Sequence, residues 1–201
     1  MHLIYLHGLD SDSNAMKAQI VSAFCAKHYP QIQVSKPDLN RTPDEVVTLL
    51  ENLIGDGKDT MLMGSSLGGY FANLMSDRLQ VPAVLLNPSI RPDLSFRRFL
   101  NEHFAQADLT DDTVIYTTTG GWQICYGDLA WFEKHRLQAT ACDKLSVFLC
   151  LGDELLDATA SQAFYQQKEV NVLAIEGGDH RISDFEQHVQ TVIEMALALN
   201  R

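Results

Sequence analysis

The residues in this chain best suited to chemistry lie in Gly64-Ser65-Ser66-Leu67-Gly68-Gly69-Tyr70, a Gly-x-Ser-x-Gly pattern centred on Ser66. Composition alone produces such a triplet in about one chain of this length in fifteen, so the flanking residues must carry the reading. An apolar run at 61–63, short enough for a buried strand, precedes it. Leu67, Tyr70, Phe71, Leu74, Met75 and Leu79 follow at helical spacing, and Pro82 closes the helix. A serine between a strand and a helix occupies a sharp, strained turn that exposes its hydroxyl, and the glycines let the two backbones pass closely. That hydroxyl becomes a nucleophile when a base takes its proton, and the base needs a carboxylate to hold its tautomer. Asp153 follows an apolar run at 146–151, and His180 follows another at 170–175. The order serine, acid, histidine is the one expected for a serine on such a turn. The chemistry implied is acyl transfer through a covalent intermediate, which calls for no cofactor.

Each candidate has a rival. Ser65 adjoins Ser66, but the glycines are centred on Ser66. Asp157 and Glu154 are alternative acids, and Asp157 equally suits the N-cap of the next helix. Asp179, chain neighbour of His180, is poorly placed to reach its ring. His7, before Gly8, reads as a loop-shaping residue, while His28, His103, His135 and His188 fall on expected helices. No His, Cys or carboxylate cluster has metal-ligand spacing.

To position these residues, strands and helices must alternate. Strands are expected at 3–6, 32–35, 61–63, 83–86, 146–151 and 170–175. Helices are expected at 15–28, 43–55, 67–81 and 159–168, and after Ser183-Asp184-Phe185-Glu186. Thr42-Pro43-Asp44-Glu45 and Ser183 to Glu186 both read as capping boxes. The strands are apolar throughout rather than alternating, as in a parallel sheet buried on both faces. The fold class is therefore α/β, with about six mostly parallel strands and helices on both faces. Ligands of such sheets bind where the strands end.

The interval 89–144 breaks this rhythm. Residues 94–104 read as an amphipathic helix, 114–126 as a hairpin, and a further helix starts at Asp128. The interval leaves the sheet at the same edge as Ser66, where it is expected to form a lid. Trp122 and Trp131, with Phe96, Phe99 and Phe132, are expected to line an acyl pocket. Arg97 and Arg98 are candidates to hold a phosphate-bearing substrate such as an acyl-CoA, unless they face water or pair with nearby carboxylates.

The 201 residues suit one domain, and a net charge of −11 argues against nucleic acid or an anionic membrane as partner. No apolar run reaches membrane-spanning length, and the first residues lack the basic start of a secretory signal. Cys25, Cys125, Cys142 and Cys150 form no Cys-x-x-Cys pair, which fits a reducing compartment and a cytoplasmic protein. Oligomeric state leaves no mark on the sequence.

The chain resembles the α/β-hydrolases, and within them the small YqiA-like bacterial esterases. His7-Gly8, Gly64 to Tyr70, Leu86-Asn87-Pro88, Arg91-Pro92, Gly152-Asp153-Glu154-Leu155-Leu156-Asp157 and Gly177-Gly178-Asp179-His180-Arg181 carry the resemblance. It covers nearly the whole chain and is weakest between 104 and 141. It implies that the first two strands of a full-size hydrolase are missing, and that the oxyanion hole is made by the backbone N–H groups of Leu9 and Leu67. It also implies hydrolysis of a small acyl ester, with an acyl-CoA thioester as competitor. Two other readings stay open: a non-catalytic interaction domain, and use of the same triad for C–C cleavage or a lyase step.

Overall fold

The computed structural model describes residues 1–100, 104 and 108–199. In chain order the elements begin with β1 (His2–Leu6), α1 (Met16–His28), β2 (Gln33–Ser35), α2 (Pro43–Ile54), β3 (Thr60–Ser65), α3 (Leu67–Leu79) and β4 (Ala83–Leu86). The 89–144 interval contributes α4 (Pro92–Ser95), a 3-10 turn (Phe96–Leu100), β5 (Val114–Thr117), β6 (Gln123–Cys125) and α5 (Tyr126–Lys134). The chain then adds β7 (Leu145–Cys150), α6 (Ala158–Gln167), β8 (Asn171–Ile175) and α7 (Phe185–Ala198).

Six strands form one sheet in the order β2-β1-β3-β4-β7-β8, and every pairing in it is parallel. Successive residues of a strand face opposite sides, so each continuous apolar run feeds two cores. Leu3 and Tyr5 of β1, Met61 and Met63 of β3 and Phe148 of β7 pack against α1 and α7. Ile4, Leu62, Leu85 and Val147 pack with α2, α3 and α6 on the other face. The strand order reverses at β1, whose neighbours are β2 on one side and β3 on the other. A crevice opens at such a reversal, outside the carboxyl ends of the strands.

Local chemistry accounts for several boundaries. Thr42 donates its backbone N–H to Glu45 at 2.9 Å, the capping box expected from the sequence, with Pro43 opening α2. The second expected box does not form. Asp179 already accepts the Ser183 N–H at 3.0 Å, so the chain turns once more, Asp184 becomes the N-cap, and its carboxylate accepts from His188 instead. The expected helix at 94–104 is also different. Helical structure starts earlier, at Pro92, where Asp93 takes two hydrogen bonds from Arg91 at 2.8 and 2.6 Å, and it tightens to a 3-10 turn at Phe96. The rest of that expected helix, at 101–103, lies outside the described residues. The hairpin is present as the antiparallel pair β5 and β6. Helix α5 begins two residues before Asp128, whose carboxylate accepts the Cys125 N–H at 2.9 Å from inside the first turn. All four cysteines are free.

Candidate active site

β3 ends at Ser65 and α3 begins at Leu67, leaving Ser66 alone in the turn with φ 55° and ψ −117°. A non-glycine residue rarely takes that conformation, and the surroundings hold it there. The Ser66 N–H donates to Leu86 O at 3.0 Å, and its carbonyl accepts from Tyr70 N and Ser89 N. The close crossing requires glycine on both sides. A Cβ at Gly64 would strike the backbone of Gly68, and one at Gly68 would strike the Leu6 carbonyl.

The structure brings His180 to this serine. His180 Nε2 lies 2.9 Å from Ser66 Oγ, and Nδ1 lies 2.7 Å from Asp153 Oδ2. A carboxylate only accepts, so Nδ1 carries the proton and Nε2 is left to accept from the serine hydroxyl. Asp153 stands two residues past Leu151, its side chain 2 % exposed. Its second oxygen accepts the Leu155 and Leu156 N–H groups at 2.8 Å each, which orients the carboxylate. Asp157 is elsewhere, capping α6 through Ala160 N at 2.8 Å. Glu154 accepts the backbone N–H of His180 at 2.9 Å and so holds the loop rather than the ring. Asp179 accepts from Ser183.

Asn87 was visible in the sequence only as part of a Leu-Asn-Pro turn. Its Nδ2 donates to the carbonyls of Asp179 and His180 at 3.0 and 3.2 Å, while its Oδ1 accepts the Cys150 N–H at 2.8 Å. One buried amide thereby ties the histidine loop to β7.

The loop after β1 closes the other side. Gly8 sits so near Ser66 that a Cβ there would lie 3.1 Å from Ser66 Cβ. His7 shapes this loop, with Nδ1 donating to Gly8 O at 2.8 Å and Nε2 accepting Leu39 N–H at 2.8 Å. Among the described residues, neither the Leu9 nor the Leu67 backbone N–H has an acceptor. Asp10, next in the loop, accepts from Tyr116 Oη at 2.8 Å and Thr119 N at 3.0 Å. The β5–β6 hairpin therefore clamps this loop.

A cleft of about 460 Å³ opens over Ser66 and His180, with Tyr5, Leu9, Lys17, Arg98, Leu155 and Arg181 in its wall. Of the seven residues named for substrate contact, only Arg98 lines it; Trp122, Trp131, Phe96, Phe99, Phe132 and Arg97 do not, which corrects that expectation. Trp122 is 5 % exposed and packs on Phe96 in the hydrophobic core. Trp131 stacks on His135 and donates Nε1 to Asp44 Oδ1 at 2.7 Å. Phe132 lies edge-on to Tyr70. These aromatics extend the hydrophobic core, where burial of a large ring is most favourable. The lid expected from 89–144 thus touches the cleft through Arg98 among the described residues. A second groove of about 440 Å³ lies between α1 and α7, away from Ser66.

A model of the uncharacterised protein family UPF0227 matches residues 2–197. A UPF0227 protein of Vibrio parahaemolyticus is 23 % identical over 197 residues, covering 96 % of this chain and 97 % of that protein. Among solved structures, Est1E from Butyrivibrio proteoclasticus aligns with a TM-score of 0.72 and 17 % identity, over 99 % of this chain and 88 % of its own. The mouse alpha/beta hydrolase domain-containing protein 10 aligns at 0.68 and 19 % identity, over 98 % and 90 %. The esterase domain of a Rhodothermus marinus protein aligns at 0.68 and 16 % identity, over 99 % and 86 %. These likenesses establish the α/β-hydrolase fold.

Proposed function

The chain belongs to the uncharacterised protein family UPF0227, and from the site built into it we propose that the protein is a serine esterase. One observation carries this reading: the chain Ser66 Oγ, His180 Nε2, His180 Nδ1, Asp153 Oδ2, with links of 2.9 and 2.7 Å, at a strained strand-to-helix turn. Ser66 attacks the acyl carbonyl while His180 takes its proton. Asp153 stabilises the imidazolium that results. The tetrahedral oxyanion is received by the Leu9 and Leu67 N–H groups, each worth about 2.7–4 kcal/mol to the transition state. His180 returns the proton to the leaving alcohol, and the acyl group stays on Ser66. Water, deprotonated by His180, then releases the acid. The cycle uses no cofactor, and the substrate is a small carboxylic ester or, with the same steps, an acyl-CoA thioester. We place this activity in the cytoplasm, on a single-domain protein. No helix among the described residues is long and apolar enough to cross a membrane.

A fluorophosphonate probe tests the reading, since it reacts with an activated serine beside an oxyanion hole. The wild-type protein is expected to label and to hydrolyse 4-nitrophenyl butyrate. Ser66→Ala is expected to abolish both, whereas Ser65→Ala keeps most of the labelling. Labelling that survives Ser66→Ala overturns the nucleophile, and a wild type that never labels favours the non-catalytic reading. Labelling without turnover of any ester, thioester or amide favours the C–C cleavage or lyase reading.

A further inference from the structure

The cleft over Ser66 has a charge opposite to that of the protein. The chain carries 26 acidic and 15 basic residues, yet among the described residues three cations, Lys17, Arg98 and Arg181, line the cleft against one carboxylate, Asp10. That carboxylate is already taken by Tyr116 and Thr119. None of the three cations makes an ion pair with a described residue. They come from three separate places: the start of α1, the 3-10 turn after α4, and the loop beside His180.

Two of them are held in place. Lys17 Nζ donates to Arg181 O at 2.5 Å, which binds α1 to the histidine loop. Arg98 lies over the Phe99 ring at 5.0 Å, and Phe99 stacks on Tyr116 at 4.1 Å, the same tyrosine that bonds Asp10. Tyr5 also reaches the cleft. It is 1 % exposed, its hydroxyl lies beside Ser65, and burial pushes its pKa up.

We infer that this cleft takes esters bearing an anionic group, a carboxylate or a phosphate, beside the scissile carbonyl, held by Lys17, Arg98 and Arg181. The inference rests on the esterase reading and names the substrate class of that site. Guanidinium groups fit either anion bidentately, and Lys17 adds a point charge. Lys17 also gives the selection a pH dependence. Burial lowers its pKa to about 8, with Asp179 opposing the shift and Arg181 adding to it. Below that pH the lysine is charged and the anion is held. As pH rises through about 8 the Lys17 charge is lost and the preference declines to what Arg98 and Arg181 sustain.

Matched esters test this. The 4-nitrophenyl half-ester of glutaric acid is compared with 4-nitrophenyl valerate, placing the charge on the acyl side. 1-Butyrylglycerol 3-phosphate is compared with 1-butyrylglycerol, placing it on the leaving group. In at least one pair the wild type is expected to prefer the anion in kcat/KM, and the pair that shows it identifies which side carries the charge. In Arg98→Gln/Arg181→Gln that ratio is expected to fall about tenfold, and added salt is expected to shrink it in the wild type. Lys17→Arg is expected to keep the ratio level from pH 7 to 9, where the wild-type ratio declines; a purely structural lysine would not move this profile. Equal kcat/KM within both pairs, or a ratio unchanged in the double variant, overturns the inference and leaves the esterase reading standing. If the wild type turns over no ester at all, the esterase reading falls separately. Calorimetry of Ser66→Ala with the glutarate half-ester then decides the anion site: weaker binding in Ser66→Ala/Arg98→Gln/Arg181→Gln supports it, and equal or absent binding in both overturns it.

Discussion

Asn87→Ala removes a side chain that touches neither Ser66 nor the His180 ring, yet it should harm both stability and turnover. The Cys150 N–H loses its acceptor within a residue that is 0 % exposed, which costs about 1–3 kcal/mol. The carbonyls of Asp179 and His180 lose a donor but stay near water, so each contributes about 0.5 kcal/mol. Asn87 also has φ 40°, where alanine costs about 1 kcal/mol more than asparagine. The expected loss is therefore about 3–5 kcal/mol, which lowers a urea midpoint by about 1–2 M. Release of the loop also lets His180 drift, and a displacement of about 1 Å costs about 10²-fold in kcat. Urea unfolding and ester turnover on the same preparation check both figures. Asn87→Gly is expected to regain the backbone part of the stability and none of the kcat. A full loss of stability with kcat untouched would refute the claim that Asn87 positions the histidine, and an unchanged midpoint would refute the hydrogen-bond argument as a whole.

Other outcomes follow from the same geometry. Asp153→Asn is expected to lower kcat by about 10⁴-fold through loss of the correct imidazole tautomer. Asp157→Ala is expected to cost about 1 kcal/mol of stability by uncapping α6, with kcat retained; the reverse pattern in steady-state kinetics would move the acid to Asp157. Asp93 is held below the usual carboxylate range by hydrogen bonds from the Arg91 guanidinium, and its side chain is 4 % exposed. A depressed folded pKa stabilises the protein fully above the unfolded value of about 3.9 and loses that contribution as pH falls through the folded value. The unfolding midpoints of the wild type and Asp93→Asn should therefore differ at pH 7 and draw together only as pH falls past the usual carboxylate range and through the depressed folded value.

Much of this architecture was legible because adjacent residues encode it. Met61-Leu62-Met63, three glycines and a helical apolar stripe define β3, the turn at Ser66 and α3 with no help from distant residues. Asp153 stood out from Asp157 by directly following an apolar strand, and the structure gives the two separate partners. What could not be read depended on rotation or distance. Arg97 and Arg98 are neighbours on a tight turn, and only its orientation sends one to the cleft and the other to solvent. Trp122 and Trp131 are as apolar as any pocket residue, and nothing local says that their rings turn toward Phe96 and α2. Lys17 reads as an ordinary helical lysine until α1 meets Arg181, 164 residues later. Asn87 has the same character, since its three partners come from β7 and the loop after β8.

The 89–144 interval looks like a cassette in the chain, since it begins after β4, ends before β7 and leaves the sheet order undisturbed. Its attachments say otherwise. Tyr116 and Thr119 are bonded to Asp10, Thr118 to Asn40, Trp131 to Asp44 and the Ala141 N–H to Asp77. All four acceptors precede the interval and lie in four different places on the scaffold. A chimera that exchanged only 89–144 for a relative's segment would inherit four polar groups shaped for a different tenant, one of them in the loop that presents the Leu9 amide. Recombination between family members should therefore tolerate crossovers at these borders only when the positions of Asp10, Asn40, Asp44 and Asp77 travel with the donor segment.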